Sequence, residues 1–270
     1  MRQHRGRPRS SGSGERTPVR GEVTLIDELL KPLAAGFPGA LGLTDDAALV
    51  DVPPGRSLVV AKDALVAGVH FFKDDPADAV AQKLLRVNLS DLAAMGAEPL
   101  AYLTVIARPP DLADGWLEGF ARGLGADQAQ FGLSLIGGDI VGTPGPLMLS
   151  CTILGLVETG QALRRGAAVA GDVIWVSGTL GDGALGLRVR RGLAATEDEA
   201  FYLIERYRRP TPRLALGRRL IGTAHAAIDV SDGLLADLDH ILETSGVGAR
   251  IETPMLPVSD IAHGLPGWLE

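Results

Sequence analysis

Short apolar runs alternate with longer segments of helical periodicity along this sequence, and this alternation restricts the folds that it can adopt. Runs that are short, apolar and bounded by turn residues predict strands at residues 57–61, 100–107, 133–136, 147–156, 172–176 and 226–230. Helical patterns cover residues 22–33, 75–95 and 111–131, a segment that follows the SGTLGDG turn and runs through Arg191, and residues 197–208, 212–224 and 234–244. Asp75, followed by Pro76, is predicted to be the N-cap of the second of these helices. Strands and helices alternating in two blocks predict α/β and α+β domains, joined near residues 156–170.

Length and charge narrow the class of protein further. A chain of 270 residues can bury two cores, which favours two domains of about 100 to 150 residues each. The net charge of −7 argues against binding to nucleic acid or to an anionic membrane, since both require a basic face. An anionic substrate would therefore need metal ions or local basic residues.

Several features bear on the compartment. No apolar stretch approaches the roughly 20 residues that cross a bilayer, and no apolar signal core follows the N-terminus. The single cysteine, Cys151, lies in an apolar run and is interpreted as a buried small hydrophobe. These features predict a cytoplasmic protein. Residues 1–21 are predicted to form a disordered tail; a basic arm that contacts nucleic acid and an over-extended start site are the alternatives.

The positions of six aspartates are the most informative feature for function. Five of them lie where an apolar strand ends or a glycine turn begins, and the sixth lies inside the apolar stretch VNLSDLAAMGA; they are Asp46, Asp63, Asp139, Asp229, Asp232 and, in that stretch, Asp91. Each one alone is better explained as a helix cap or a turn former. Together they favour bound cations, because unpaired buried carboxylates are costly and would repel one another. Magnesium fits best, and zinc is disfavoured because the sequence has no cluster of His and Cys.

Glycine turns and basic residues support binding of phosphate. The LIGGD and SGTLGDG segments let the backbone approach an anion closely, although neither is a Walker loop or a dinucleotide fingerprint. Arg164 and Arg165 are either a clamp for ATP phosphates or solvated surface residues. His70 either contacts a substrate phosphate or is structural. Arg188, Arg190 and Arg191 are interpreted as a solvated helix face.

The ordered set of motifs resembles the thiamine-monophosphate kinase family, within the aminoimidazole ribonucleotide synthetase-like superfamily. The matching segments, between about residues 22 and 257, are TDDAALVDV, KDALVAGVHF, RVNLSDLAAMGAEP, LIGGDIV, RRGAAVAGDVIWVSGTLGDGALGL and AAIDVSDGLLADLDHI. This resemblance implies a two-domain fold. Residues 22–156 would form the N-terminal domain, which binds ATP and magnesium and pairs with its copy in a homodimeric barrel. Residues 157–270 would form an α+β domain that is incomplete relative to the family.

The same resemblance assigns roles to particular residues. The implied magnesium ligands are Asp46, Asp63, Asp91, Asp139, Asp229 and Asp232. The implied ATP contacts are Gly138, Asp139, Arg165 and Ser231, and His70 would contact thiamine monophosphate. The implied reaction transfers the γ-phosphoryl group of ATP to thiamine monophosphate, with several Mg²⁺ ions. Because the acceptor is already a phosphate oxygen, no strong general base is required, and the reaction depends on alignment and charge neutralisation.

Three departures from the family pattern qualify these expectations. Ala61 and Lys62 precede Asp63 where the family has a hydroxyl residue, and Lys62 either replaces a cation or turns outward. Gly166, Ala167 and Ala168 replace the usual SGA. The sequence reaches Glu270 before the family's GG(D/E)DYE segment. We therefore expect binding of ATP and magnesium to persist better than selectivity for thiamine monophosphate.

Alternative functions remain open at this point. A non-catalytic nucleotide-binding remnant would bind ATP without turnover. Selenophosphate synthetase is disfavoured because it needs a reactive cysteine near the N-terminal glycine loop, and Cys151 lies elsewhere. The hydrogenase maturation factor is disfavoured because its cysteine tail is absent from this sequence. A purely structural protein would not require the six aspartates.

Overall fold

One four-stranded sheet organises the first half of the protein. The computed structural model describes residues 20–265, so residues 1–19 of the predicted tail lie outside the described residues. The strands, in the order β1-β4-β2-β3, are β1 (Arg56–Val66), β2 (Glu98–Arg108), β3 (Ser134–Gly142) and β4 (Met148–Glu158). The central strand β4 pairs antiparallel with β1 and β2, whereas β2 and β3 are parallel. All four strands predicted in the first half are confirmed.

Two long helices cover one face of this sheet. They are α3 (Ala77–Ala94) and α4 (Asp114–Phe131), and α4 is the crossover that a parallel β2–β3 pair requires. Apolar residues recur along α3 at spacings of three and four, and Leu85, Leu89 and Leu92 are completely buried. Burial of each such leucine contributes about 2 kcal/mol. Packing of these apolar residues fixes the rotation of α3 about its axis. This rotation leaves Asp91 half-buried at the edge of the core.

The predicted first helix is also confirmed, in three consecutive segments. They are α1 (Glu22–Leu25), a π-helical turn (Ile26–Leu30) and α2 (Lys31–Ala34). Leu25 and Leu30 are buried against the sheet domain.

Helices predominate in the second half. They are α5 (Asp182–Arg190), α6 (Glu197–Arg208), α7 (Leu214–Leu220), α8 (Leu234–Ser245) and α9 (Asp260–Gly264). α5 and α6 pack so closely that a Cβ at Gly186 would lie 2.0 Å from the carbonyl oxygen of Leu203. Leu185, Leu203 and Ala262 are the centre of a second core. Among residues 20–265, no helix is both long enough and apolar enough to cross a membrane.

The two strands predicted in the second half are wrong. Residues 172–176 and 226–230 form no strand, and Trp175, Val173 and Val230 are 87%, 72% and 45% exposed. An apolar, β-branched run indicates that a segment fits a pleated surface, but a strand forms only where a neighbouring strand accepts its hydrogen bonds. The local sequence does not show whether such a neighbouring strand is present.

The predicted role of Asp75 as a helix cap is also wrong. The N-cap of α3 is Pro76, and no side-chain cap bond forms there. The residue before a proline is held in an extended conformation, so Asp75 lies one position too early. Its buried carboxylate instead accepts a hydrogen bond from the amide of Phe72 at 2.8 Å.

Candidate active site

Asp63 and Asp91 converge where β1 meets α3. Successive residues of a strand face opposite sides of the sheet. Leu65 is buried in the core beneath the helices, so Asp63 faces the same side. Asp91 lies one turn before the end of α3, which packs on β1. The strand and the helix therefore bring together two of the predicted carboxylates.

Lys62 lies on the opposite face of the sheet from Asp63. Its Nζ atom is 3.3 Å from the hydroxyl oxygen of Thr152 on β4. Of the two alternatives for Lys62, the structure shows the side chain turned away from the carboxylates.

Asp229 and Arg165 join the two carboxylates from loops of the second half. The amide of Ala227 donates to the carbonyl oxygen of Arg164 at 3.1 Å, which places the two loops side by side. Ser245 of α8 donates its hydroxyl to the carbonyl oxygen of Arg165 at 2.9 Å. Hydrogen bonds from the second half thus hold the loop that carries Arg165.

The electrostatics of this group favour a bound cation. Burial, followed by repulsion from Asp229 and Asp63, raises the pKa of Asp91 to about 7, whereas Arg165 acts in the opposite direction. Burial and the Asp229 carboxylate also raise the pKa of Asp63, while His70 lowers it. The neighbouring carboxylates therefore disfavour ionisation of Asp63 and Asp91, and a divalent cation would relieve this repulsion.

The donor set fits magnesium that is shared with phosphate. In the described part of the chain, no group of three or more His, Cys, Asp or Glu residues is arranged to hold a metal ion by itself. Magnesium does not require such a cage, because it keeps several waters and commonly binds one or two carboxylates together with substrate phosphates. Asp63, Asp91 and Asp229 offer only oxygen donors, which suits this hard cation.

Two of the other predicted ligands lie at exposed positions of the N-terminal half. Asp46 is exposed in the loop after a 3-10 turn (Pro38–Leu43). Asp139 is exposed on β3; its neighbour Ile140 is buried in the core beneath the helices, so Asp139 faces the other side of the sheet.

Close packing of the backbone explains the glycine at position 138. A Cβ at Gly138 would lie 2.1 Å from the carbonyl oxygen of Thr104 on the neighbouring strand β2. The second glycine of LIGGD is therefore required by packing within the sheet, whether or not it contacts a nucleotide.

His70 is held in one tautomer by its own loop. The amide of Val66 donates a hydrogen bond to Nδ1 of His70 at 3.0 Å. Because Nδ1 accepts this bond, the proton of the neutral imidazole lies on Nε2. The side chain is exposed, so Nε2 can donate to an oxygen of a bound phosphate.

Asp237 orders the loop of the DVSDGL motif, and our sequence analysis missed it. Its Oδ2 atom accepts hydrogen bonds from three consecutive amides, those of Ser231 at 2.8 Å, Asp232 at 3.1 Å and Gly233 at 3.1 Å. The residue is only 4% exposed and lies in the first turn of α8, where a carboxylate also interacts favourably with the helix dipole. An acid in the first turn after a glycine-containing loop is the sequence signal that would have revealed it.

Family comparisons agree with this architecture. Residues 44–157 match the N-terminal domain of AIR synthase related proteins, and residues 169–266 match their C-terminal domain. The fold and the carboxylates contributed by both halves define a two-domain protein of the AIR synthase-related class.

Individual relatives narrow this class. The chain is 48% identical to a thiamine-monophosphate kinase of Caulobacter vibrioides over 92% of this chain and 69% of the relative. The crystal structure of a thiamine-monophosphate kinase from Stenotrophomonas maltophilia superimposes with a TM-score of 0.77, at 46% identity, over 83% of this chain and 72% of that one. AaThiL complexed with AMPPCP and TMP gives a TM-score of 0.75 at 33% identity, over 81% of this chain and 70% of that one. The protein belongs to the thiamine-monophosphate kinase family.

Proposed function

We propose that the protein transfers the γ-phosphoryl group of ATP to thiamine monophosphate, forming thiamine diphosphate and ADP. The observation that carries this proposal is the convergence of Asp63, Asp91 and Asp229 beside Arg165 in a member of this family. A structural neighbour at 33% identity is complexed with AMPPCP and TMP, which supports the same pair of ligands here.

The residues of the site suit a reaction that depends on alignment. Asp63, Asp91 and Asp229 would hold Mg²⁺, which neutralises charge on the phosphates of the nucleotide. The Arg165 guanidinium would pair with those phosphates, and Nε2 of His70 would donate to the phosphate of the acceptor. The site needs no nucleophile and base from the protein, because the acceptor oxygen is already anionic.

The remaining assignments are part of the proposal and rest on the family resemblance. Asp46, Asp139 and Asp232 are proposed as further magnesium ligands; because Asp139 lies on the other face of the sheet from Asp63, it would hold a different ion. Gly138, Asp139 and Ser231 are proposed as ATP contacts. Close packing against Thr104 is sufficient to explain the glycine at position 138. Asp237 orders the loop that carries Ser231, which supports a role for Ser231.

A coupled assay of ADP release tests the proposed reaction. With Mg²⁺ and ATP, we expect turnover that depends on thiamine monophosphate and stops when EDTA removes the metal. Unphosphorylated thiamine is the control acceptor, because it lacks the phosphate that His70 and the metal would align. Calorimetric binding of magnesium-ATP without any ADP release that depends on thiamine monophosphate would instead support the non-catalytic alternative.

We also propose that the protein is a homodimer joined through the sheet face opposite α3 and α4, over the part that residues 34–50 do not cover, as in the barrel expected from the resemblance. Leu58 and Val60 of the edge strand β1 lie on that face and are 37% and 57% exposed, and Val141 of the other edge strand is 41% exposed. An apolar sheet face with open edges favours association.

Sedimentation velocity tests the dimer directly. We expect a dimer at micromolar concentrations and a shift toward monomer for Val60→Lys. Val23→Lys changes an exposed valine of α1, away from the sheet, and should leave the dimer intact. A wild-type protein that sediments as a monomer would contradict the proposal.

A further inference from the structure

The loop that carries His70 is held by side chains from both halves of the protein. The carbonyl oxygen of His70 accepts a hydrogen bond from Nζ of Lys83 on α3 at 2.7 Å. It also accepts one from the hydroxyl of Tyr207 on α6 at 3.0 Å. The backbone at His70 is therefore fixed partly by its own domain and partly by the second one.

An ion pair across the domains secures the other end of this loop. Asp75 is only 4% exposed, and its Oδ1 atom lies 2.7 Å from Nε and 2.6 Å from a terminal nitrogen of Arg208. Arg190 of α5 lies 2.7 Å from Asp74 and 4.6 Å from the centre of the Phe72 ring, so its predicted role as part of a solvated face is wrong. Removing one partner of such a buried pair leaves an uncompensated charge, which makes this a strong attachment point.

The ring of Tyr207 joins the two attachment points. Nζ of Lys83 lies 3.6 Å from the centre of this ring, and the Phe72 ring packs edge-on at 6.0 Å. Residues 70–75 thus contact both α3 and the end of α6.

We propose that Tyr207 and Arg208 are positioning residues for the acceptor substrate. They hold the His70 loop against the second domain, so that Nε2 of His70 meets the phosphate of the acceptor. This inference rests on the proposed function of His70.

A second set of contacts, between the end of α6 and α3, allows this positioning role to be distinguished from a role in holding the two domains together. Arg209 bonds to Gln82 at 2.6 Å and to Asp78 at 3.1 Å, both on α3 itself. These contacts keep α6 on α3 when the Tyr207 hydroxyl is removed. Because the contacts of Arg209 remain, loss of the bond to the carbonyl oxygen of His70 is expected to shift the His70 loop, and Nε2 with it, rather than separate the domains.

Tyr207→Phe is the sharpest variant for a test. It removes one hydroxyl and keeps the ring against Lys83 and Phe72. A change at Lys83 would be less clean, since burial lowers the pKa of Lys83 to about 8 and a substitution would alter charge and packing together. We expect the KM for thiamine monophosphate to rise about tenfold, as for loss of one hydrogen bond, with the KM for ATP changed less than twofold.

Tyr202→Phe is the matched control on the same helix. Its hydroxyl donates to the buried Asp182 at 3.0 Å inside the second domain, far from the His70 loop in the hydrogen-bond network. This control should lower the melting temperature without changing the KM for thiamine monophosphate. Equal rises in both KM values for Tyr207→Phe, or the same selective rise for Tyr202→Phe, would overturn the inference.

Hydrogen–deuterium exchange of the peptide that covers residues 67–75 provides a readout independent of turnover. We expect exchange about tenfold faster in Tyr207→Phe than in the wild type or Tyr202→Phe, because one of the few bonds that hold this loop is lost. Unchanged exchange would refute the positioning role even if the enzyme is active. Faster exchange in a protein without activity on thiamine monophosphate would instead reject the proposed function alone.

Discussion

Replacing Asp91 by asparagine is expected to lower kcat for phosphoryl transfer by about a hundredfold or more, which is the scale of losing one electrostatic contact to a transition state. Asp91 is the carboxylate on which burial, Asp229, Asp63 and Arg165 all act. An amide keeps its shape but offers a cation only a neutral oxygen. Steady-state assays across a magnesium titration measure the effect, and the variant should also need more magnesium to reach its own maximum.

Asp127→Asn is the control for a buried aspartate in the same domain. Asp127 is completely buried and pairs with Arg86 through two contacts of 2.8 and 2.9 Å between α4 and α3. Breaking such a pair costs about 3 kcal/mol of stability, so this variant should melt earlier yet retain the magnesium dependence of the wild type. If both variants lose activity in proportion to their loss of stability, Asp91 has no specific role.

Without metal, Asp91→Asn should be more stable than the wild type, whereas Asp127→Asn should be less stable. The folded-state pKa of Asp91 is raised to about 7, above the value of about 4 for a free aspartate. Between these values the folded protein binds more protons than the unfolded chain, so stability falls as the pH rises. With EDTA present, thermal unfolding should show the variant more stable than the wild type at pH 8, and less distinctly so at pH 5. Destabilisation at pH 8 would mean that partners already stabilise the Asp91 carboxylate without a metal.

Replacing Asp237 by alanine is expected to weaken binding of magnesium and a non-hydrolysable ATP analogue by about ten- to a hundredfold, the usual cost of removing a residue that orients metal ligands. Three amides of the loop would lose their common acceptor, and the loop carries Asp229, Ser231 and Asp232. Leaving these amides unsatisfied also costs about 2 kcal/mol of stability. Isothermal calorimetry at a temperature well below the melting point separates the two effects.

Two further variants sharpen this test. Asp237→Asn keeps one acceptor oxygen and should fall between the wild type and the alanine variant. Asp239→Ala removes an exposed carboxylate from the same helix and should bind the nucleotide as the wild type does. Affinity unaltered by Asp237→Ala would show that the loop needs no such support.

Periodicity along the chain was sufficient to predict the strands and the long helices of the first half, but not the order in which the strands pair. The three- and four-residue spacing of leucines defines α3 wherever it packs, and the four apolar runs of the first half all found neighbouring strands. The runs at residues 172–176 and 226–230 carry the same local signal and did not form strands. The difference lies in the surroundings, because the hydrogen bonds of a strand are completed by another segment.

The candidate site divides in the same way. Asp63 and Asp91 were predicted because an acid beside an apolar strand or inside an apolar helix is costly without a partner. The predicted strand was too short, however, since Asp63 lies inside β1 rather than after its end. Asp75 was misinterpreted because its partner, Arg208, lies more than 130 residues away in the sequence. Tyr207 was not considered because its partner, His70, lies in the other domain. Asp237 was missed because its function is to hold a neighbouring loop.

By itself, the sequence determined the family, the helices and the strands of the first half, and the types of residue available for binding phosphate and magnesium. These properties depend on side-chain chemistry and on spacing within one segment. Only the tertiary structure decided that Asp63, Asp91 and Asp229 meet, that Lys62 turns away, and that α6 holds the His70 loop. Such relations depend on which faces of distant elements pack together, and burial and charge act over those distances without leaving a local pattern.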